Sequence, residues 1–290
     1  MSDLHHHKFI NVEKILQEKA PKFYRLIPRF LINKVRKILH EKEINAVMHI
    51  IKDKRGLAYN DAILEMLGAK IEYVGIENVP KEGGVIIASN HPLGGADGMA
   101  LIKAVSVVRK DIHFIVNEIL TKLENFDDLF VGVNKLGATA KQDLLKVEKI
   151  LSSDCVALFF PAGLVSRKQK INGRWQIKDL NWNKTFVQKA IQYKKPIIPV
   201  FIEGRNSEFF YNFSLWRKRM RIKGNIEMLF LPDEMFKQKD QTIKIYFGKP
   251  INTNVFEEHK MSFVEWAAMI KEFVYSGYIQ KNQNFEDFLK

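Results

Sequence analysis

Short apolar runs, each bounded by turn-forming residues, recur along the middle of the chain at the interval of a strand plus a helix. Residues 85–88 follow Gly83-Gly84, and similar runs occupy 113–116, 130–133, 156–160 and 196–204. Such runs read as buried strands, whereas the stretches 97–104, 142–151 and 186–193 carry helical spacing or composition. Residues 71–74 and 226–231 are further strands, and 242–247 alternates Ile243, Ile245 and Phe247 as a closing one. Repeated strand–helix units predict an α/β fold with a mostly parallel central sheet flanked by helices. Upstream, 11–20 reads as an exposed helix broken by Pro21, and 60–68 as a helix stopped by Gly68. The 263–290 tail is helical and mixed in charge. Residues 1–70 thus read as a helical appendage and 71–290 as the α/β domain.

Residues 22–40 are the most basic apolar segment: six Lys or Arg and no acid, interleaved with Phe23, Ile27, Phe30, Leu31, Val35 and Ile38 at helical spacing. Pro28 suits the first turn of a helix running to Ile38. Two readings stay open, a helix lying in a headgroup layer and a helix packing its stripe on the core. Residues 209–223 repeat the combination, with Phe209, Phe210, Tyr211, Phe213 and Trp216 leading into five Lys or Arg. This suits a membrane interface as well as an exposed basic helix end.

The strand over 85–88 ends in Asn90-His91, and Asp97 lies six residues after His91. This sets an imidazole and a carboxylate at the carboxyl end of a strand, where α/β folds gather their chemistry. Neutral histidine has the proton affinity to take a hydroxyl proton, and a carboxylate beside it orients the ring and stabilises the imidazolium. Gly94 and Gly95 allow the sharp bend that would join the two, and the amides of 94–98 are candidate oxyanion donors. Helix capping by His91 and Asp97 is the plainer alternative.

Composition narrows the partners. The chain has 290 residues, 46% hydrophobic, enough for a substantial core. Its formal net charge of +13 calls for an anionic partner, and 21 Phe tilt that choice toward lipid surfaces. No helix-turn-helix, zinc-ligand or RRM-like pattern supports nucleic acid. Cys155, the single cysteine, excludes an internal disulfide framework and favours a reducing compartment. The start lacks a secretory pattern, and no apolar run approaches the roughly 18–20 residues of a spanning helix. A cytoplasmic protein, peripheral on the inner face of the membrane, is expected. No metal is expected, because His91 lacks a second ligand at metal spacing. A nucleotide site at Gly94, Gly95 and Gly98 departs from the GxGxxG spacing.

Asn90-His91 followed by Asp97-Gly98 resembles the His-Asp signature of the glycerolipid acyltransferases, the lysophosphatidic acid acyltransferase family, and especially its hemolysin-like or amino-acid-lipid branch. The five residues between them, Pro92 to Ala96, exceed the usual spacing by one and are similar to that branch. Residues 160–166 partly match the third family motif: Pro161, Gly163 and Ser166 agree, whereas Ala162, Leu164 and Val165 replace its polar residues. The run from Pro196 resembles the fourth.

The resemblance implies an O-acyltransferase of membrane lipid biosynthesis that moves a fatty acyl group from acyl-carrier protein or acyl-CoA to a lysolipid hydroxyl. His91 would be the base and Asp97 its orienter, without a cofactor beyond the thioester. Asn90, Gly94, Gly95, Gly98, Asn117, Glu118, Pro161, Gly163, Ser166 and Arg167 would bind substrate, with Arg167 as the anion clamp. The family's acceptor-phosphate arginine has no counterpart near Lys135. These departures favour an acylated amino-acid lipid over lysophosphatidate as acceptor. The competing class is a non-catalytic lipid-binding or membrane-active, hemolysin-like protein.

Overall fold

The computed structural model describes residues 10–19, 24–25, 27–117, 120–121, 123–133, 140–222 and 224–290. Nine strands are described: β1 (Lys70–Val74), β2 (Val85–Ser89), β3 (Ile112–Asn117), β4 (Phe130–Val133), β5 (Val156–Phe159), β6 (Arg167–Ile171), β7 (Arg174–Lys178), β8 (Ile197–Ile202) and β9 (Thr242–Phe247). Seven build one sheet in the order β1-β9-β8-β2-β5-β3-β4. Strands β8, β2, β5, β3 and β4 run parallel, and β9 joins β8 antiparallel with β1 parallel to β9. The expected α/β architecture with a mostly parallel sheet is what the chain forms.

Both faces of the sheet are covered, so β2 at its centre is buried along its whole length and reads as an unbroken apolar run. Val85 and Ile87 enter one core with Ile198, Val200, Ile243 and Ile245, while Ile86 and Ala88 enter the other with Ala157, Trp266 and Phe273. Helix Gly56–Met66, assigned above to the appendage, belongs to the first core through Tyr59, Ile63 and Leu64. It is fastened to helix Gly95–Val105 by an Asn60 Nδ2 hydrogen bond to the Met99 carbonyl. Helix Gly56–Met66 therefore packs as part of the α/β core. The physical reason is that this helix completes the apolar layer over β1, β2 and β9.

One expected strand is absent. Residues 226–231 form no strand; they make the 3-10 turn Ile226–Phe230 and begin helix Leu231–Lys237. Pro232 suits a helix start, and the buried Glu227 carboxylate turns inward to two arginines rather than alternating across a sheet. The hairpin β6–β7 is an element not expected from the sequence, although its signal is local: Asn172-Gly173, both at positive φ, join strands paired Ile171 to Arg174.

Helix Arg29–Ile38 buries Ile32 and leaves Phe30 68% and Leu31 41% exposed. After it, His40 contacts Asp233 at 3.0 Å and stacks on Phe236, 4.2 Å between ring centres. This anchors the N-terminal helices to helix Leu231–Lys237, whose Leu231 lies over Gly94. The basic segment therefore sits one helix away from the His91 loop.

Candidate active site

β2 lies between β5 and β8, so the loops leaving the carboxyl ends of all three meet above it. Asn90 locks that junction. Its Nδ2 donates to the Ile202 carbonyl at 2.9 Å, and its Oδ1 accepts from the Ile202 amide at 2.7 Å, continuing the β2–β8 pairing with a side chain. At 2% exposure Asn90 holds the loop, and it also borders the cavity described below.

The loop then reverses at Gly94 (φ 85°, ψ −126°), a conformation that side-chain-bearing residues rarely adopt. A Cβ there would also come within 3.1 Å of Leu231. Helix Gly95–Val105 begins at once and brings Asp97 back under the ring. His91 Nδ1 lies 3.0 Å and 3.1 Å from the two Asp97 oxygens. Asp97 Oδ2 also accepts the amides of Leu93 at 2.7 Å and Gly94 at 3.2 Å. Asp97 is thus both the helix cap and the imidazole's partner. Those two amides consequently point at the carboxylate, and of the donors expected over 94–98, that of Gly94 is engaged by Asp97 rather than aimed at an oxyanion.

Asp97 is fully buried, whereas the His91 side chain keeps 17% of its surface. Phe160 stacks on the imidazole at 4.0 Å and 19°, and Phe114 meets Phe160 edge-on. Gly98 permits this arrangement: a Cβ there would lie 3.0 Å from the Phe114 ring. Gly95 meets no such restriction, since its Cβ would sit 3.6 Å from Met235 Sδ, an ordinary contact. With the carboxylate at Nδ1, that nitrogen carries the proton and Nε2 is the ring's acceptor. Gly94→Ala is expected to cost about 1–3 kcal/mol from backbone strain. A thermal melt of the variant checks it, and an unchanged Tm contradicts the conformation.

The second loop approaches from β5. The Pro161 carbonyl accepts the Asn183 amide at 2.9 Å, and Gly163 turns at φ 64°. The Ser166 amide donates to the His91 carbonyl at 2.7 Å, and its hydroxyl donates to Asp179 at 2.6 Å. Asp179, missed in the sequence, is the hub of the site. Fully buried, it also accepts the His91 amide at 3.2 Å and Trp182 Nε1 at 2.9 Å, and its own amide donates to the Tyr275 hydroxyl at 2.9 Å. Burial pushes its carboxyl pKa up, against the lowering by Ser166 and Trp182; burial and the Asp179 charge push the Tyr275 phenol up. No local pattern marks Asp179, which lies 88 residues from His91 in sequence.

Arg167 departs from its expected role. Only 2% exposed, it pairs with Glu227 at 3.1 Å, donates to the Val165 carbonyl at 2.7 Å and lies over the Phe210 ring. Burial lowers its pKa against the raising by Glu227. It is a core cation, not an open anion clamp. Asn117 is exposed at the end of β3, two strands from β2, and Glu118 and Lys135 lie outside the described residues.

A cavity of about 430 Å³, within the size range of small-ligand sites, opens beside the His91 loop. Asn90 and Pro92, the neighbours of His91, line it together with Ser166, and Trp175, Ile177 and Phe201 supply apolar lining. A larger groove of about 700 Å³ runs along Phe30, Lys34 and Glu41, away from the His-Asp pair. Among the described residues no three His, Cys, Asp or Glu side chains gather as metal ligands, and no helix is long and apolar enough to cross a membrane.

A family model described as Acyltransferase matches residues 14–282. The chain is 45% identical over 267 residues to the lyso-glycine lipid O-acyltransferase of Bacteroides thetaiotaomicron, covering 92% of this chain and 96% of that one. With the protein of the same name from Phocaeicola vulgatus it shares 40% identity, over 92% and 94% of the two chains. Among solved structures, the 1-acyl-sn-glycerophosphate acyltransferase PlsC of Thermotoga maritima is 17% identical, with a TM-score of 0.42 over 87% of this chain and 93% of that one.

Proposed function

The chain belongs to the acyltransferase family, and from that membership we propose that it transfers a fatty acyl group from a thioester, acyl-carrier protein or acyl-CoA, to the hydroxyl of a lyso-glycine lipid. The observation that carries this reading is the His91–Asp97 contact at the mouth of β2, next to a cavity with apolar walls. His91 Nε2 removes the acceptor's hydroxyl proton while Asp97 holds Nδ1–H and stabilises the imidazolium. The oxygen attacks the thioester carbonyl, the tetrahedral intermediate expels the thiolate, and the imidazolium returns its proton to that thiolate. An ester and a free thiol result, with no further cofactor in the balance. The names of both relatives support a glycine lipid as acceptor. So does the closure of Arg167, which leaves no arginine at the third-motif position free to meet a phosphate.

Purified protein given each donor and a panel of lysolipids is expected to yield an O-acylated glycine lipid by mass spectrometry. Lack of any ester with either donor overturns the reading and leaves the lipid-binding alternative.

The role belongs to membrane lipid biosynthesis on the cytoplasmic face. Phe30 and Leu31 point outward from a helix bearing Arg29, Lys34, Arg36 and Lys37, and Phe209 and Trp216 do so beside Arg219, which supports docking to an anionic bilayer. Burying a Phe or Leu side chain is worth about 1.5–3 kcal/mol. The pair Phe30→Asp and Leu31→Asp is therefore expected to weaken binding to phosphatidylglycerol vesicles by at least ~10-fold. Sedimentation with vesicles measures this, and unchanged partitioning removes that helix from the docking surface.

A further inference from the structure

We propose that Lys168 and Arg205, at the rim of the cavity beside His91, seat the carboxylate of the acceptor lipid, with Glu208 holding the two cations in position until the acceptor arrives. The inference rests on the proposed acceptor and adds how its headgroup is recognised. Three elements converge there: Lys168 comes from β6, Arg205 from the loop after β8, and Glu208 from the first turn of helix Glu208–Arg219. Lys168 Nζ lies 2.9 Å from Glu208 Oε2 and 3.3 Å from Asn212 Oδ1, and Arg205 pairs with the other Glu208 oxygen.

These three are the charged side chains among the residues lining the cavity. Two cations share one carboxylate, which leaves a single positive charge at the rim. That surplus matches the one negative charge of an N-acylated glycine, whereas a phosphate monoester brings up to two. The placement also suits the reaction. A carboxylate at the rim directs the attached chain along Trp175, Ile177 and Phe201 toward Asn90 and Pro92, which flank the base. Arg205 and Glu208 are more than half exposed, and exposed ion pairs are weak. A ligand carboxylate can therefore compete with Glu208 for the two cations while Glu208 stays at the rim and keeps its net charge at one, and a guanidinium binds the ligand through two parallel hydrogen bonds. Arg167, next in sequence to Lys168, cannot do so, because Glu227 already occupies it inside the core.

Calorimetric titration of the full chain with N-octanoylglycine, its primary amide and octyl phosphate tests the proposal. The wild type is expected to bind the acid at least ~10-fold tighter than the amide, in line with a charge-assisted hydrogen bond, and tighter than the phosphate. Lys168→Ala with Arg205→Ala should bring acid and amide to near parity. Glu208→Gln should widen the ratio by freeing both cations. Equal binding of acid and amide by the wild type, or an unchanged ratio in the double variant, overturns the carboxylate seat. Tighter binding of octyl phosphate overturns the headgroup chemistry, and an unaltered ratio in Glu208→Gln removes Glu208 from the device. Because binding is read without turnover, a preference for the acid in a protein that forms no ester would contradict the acyl-transfer reading while leaving the seat standing. Ester formation with equal kcat/KM on hydroxylated acid and amide acceptors would do the reverse.

Discussion

His91→Ala is expected to lower acyl transfer by about 100- to 10,000-fold, the range for removal of a general base, with vesicle binding unchanged. The ring sits on Phe160 and touches Asp97 but carries none of the backbone hydrogen bonds of the loop, which run through the His91 amide and carbonyl and through the Leu93 and Gly94 amides on Asp97. Fold and lipid docking should therefore survive the truncation, which separates a catalytic imidazole from a structural one. Asp97→Asn probes the partner. Its oxygen can still accept the Leu93 and Gly94 amides, but its amide group would press the opposite tautomer on His91. A rate loss near that of His91→Ala, measured on protein with a native melt, is the expected outcome. Full activity in either variant would dispose of the mechanism.

Asp179→Ala carries the largest expected effect on stability. Removing the carboxylate strands three donors at a fully buried position: the Ser166 hydroxyl, the Trp182 indole and the His91 amide. At about 1–3 kcal/mol for each unsatisfied donor, the loss is ~3–9 kcal/mol. Thermal denaturation should show a fall in Tm on the order of 10 °C for a chain of this size. The damage should also reach the reaction, because both backbone anchors of His91 depend on this carboxylate, one directly and one through Ser166. Asp179→Asn, which keeps an acceptor and the side chain's shape, should recover most of the stability. A melt of Asp179→Ala within a degree or two of wild type would show that the hub is not what holds the loop.

Much of this was legible in the chain because the signals are short-range. The central strand β2 announces itself as an apolar run because it is covered on both faces, and the His91–Asp97 partnership is legible because only five residues, with one glycine bend, separate its members. The Asn172-Gly173 hairpin carries an equally local signal. The strand expected over 226–231 failed because apolar content alone does not distinguish a strand from a turn packed by Glu227.

What the amino-acid sequence determined by itself is therefore the layered α/β plan and the imidazole–carboxylate contact at the end of one strand, both products of periodicity and near-neighbour chemistry. Tertiary structure alone decided the rest. Asp179 reaches His91 across 88 residues, Asn90 reaches Ile202 across 112, and Glu227 claims Arg167 across 60. Each depends on strand order, which brings distant segments to one edge of the sheet. The same order settles whether a cation faces water or a buried carboxylate: it closes Arg167 into the core and leaves its neighbour Lys168 at the rim of the cavity.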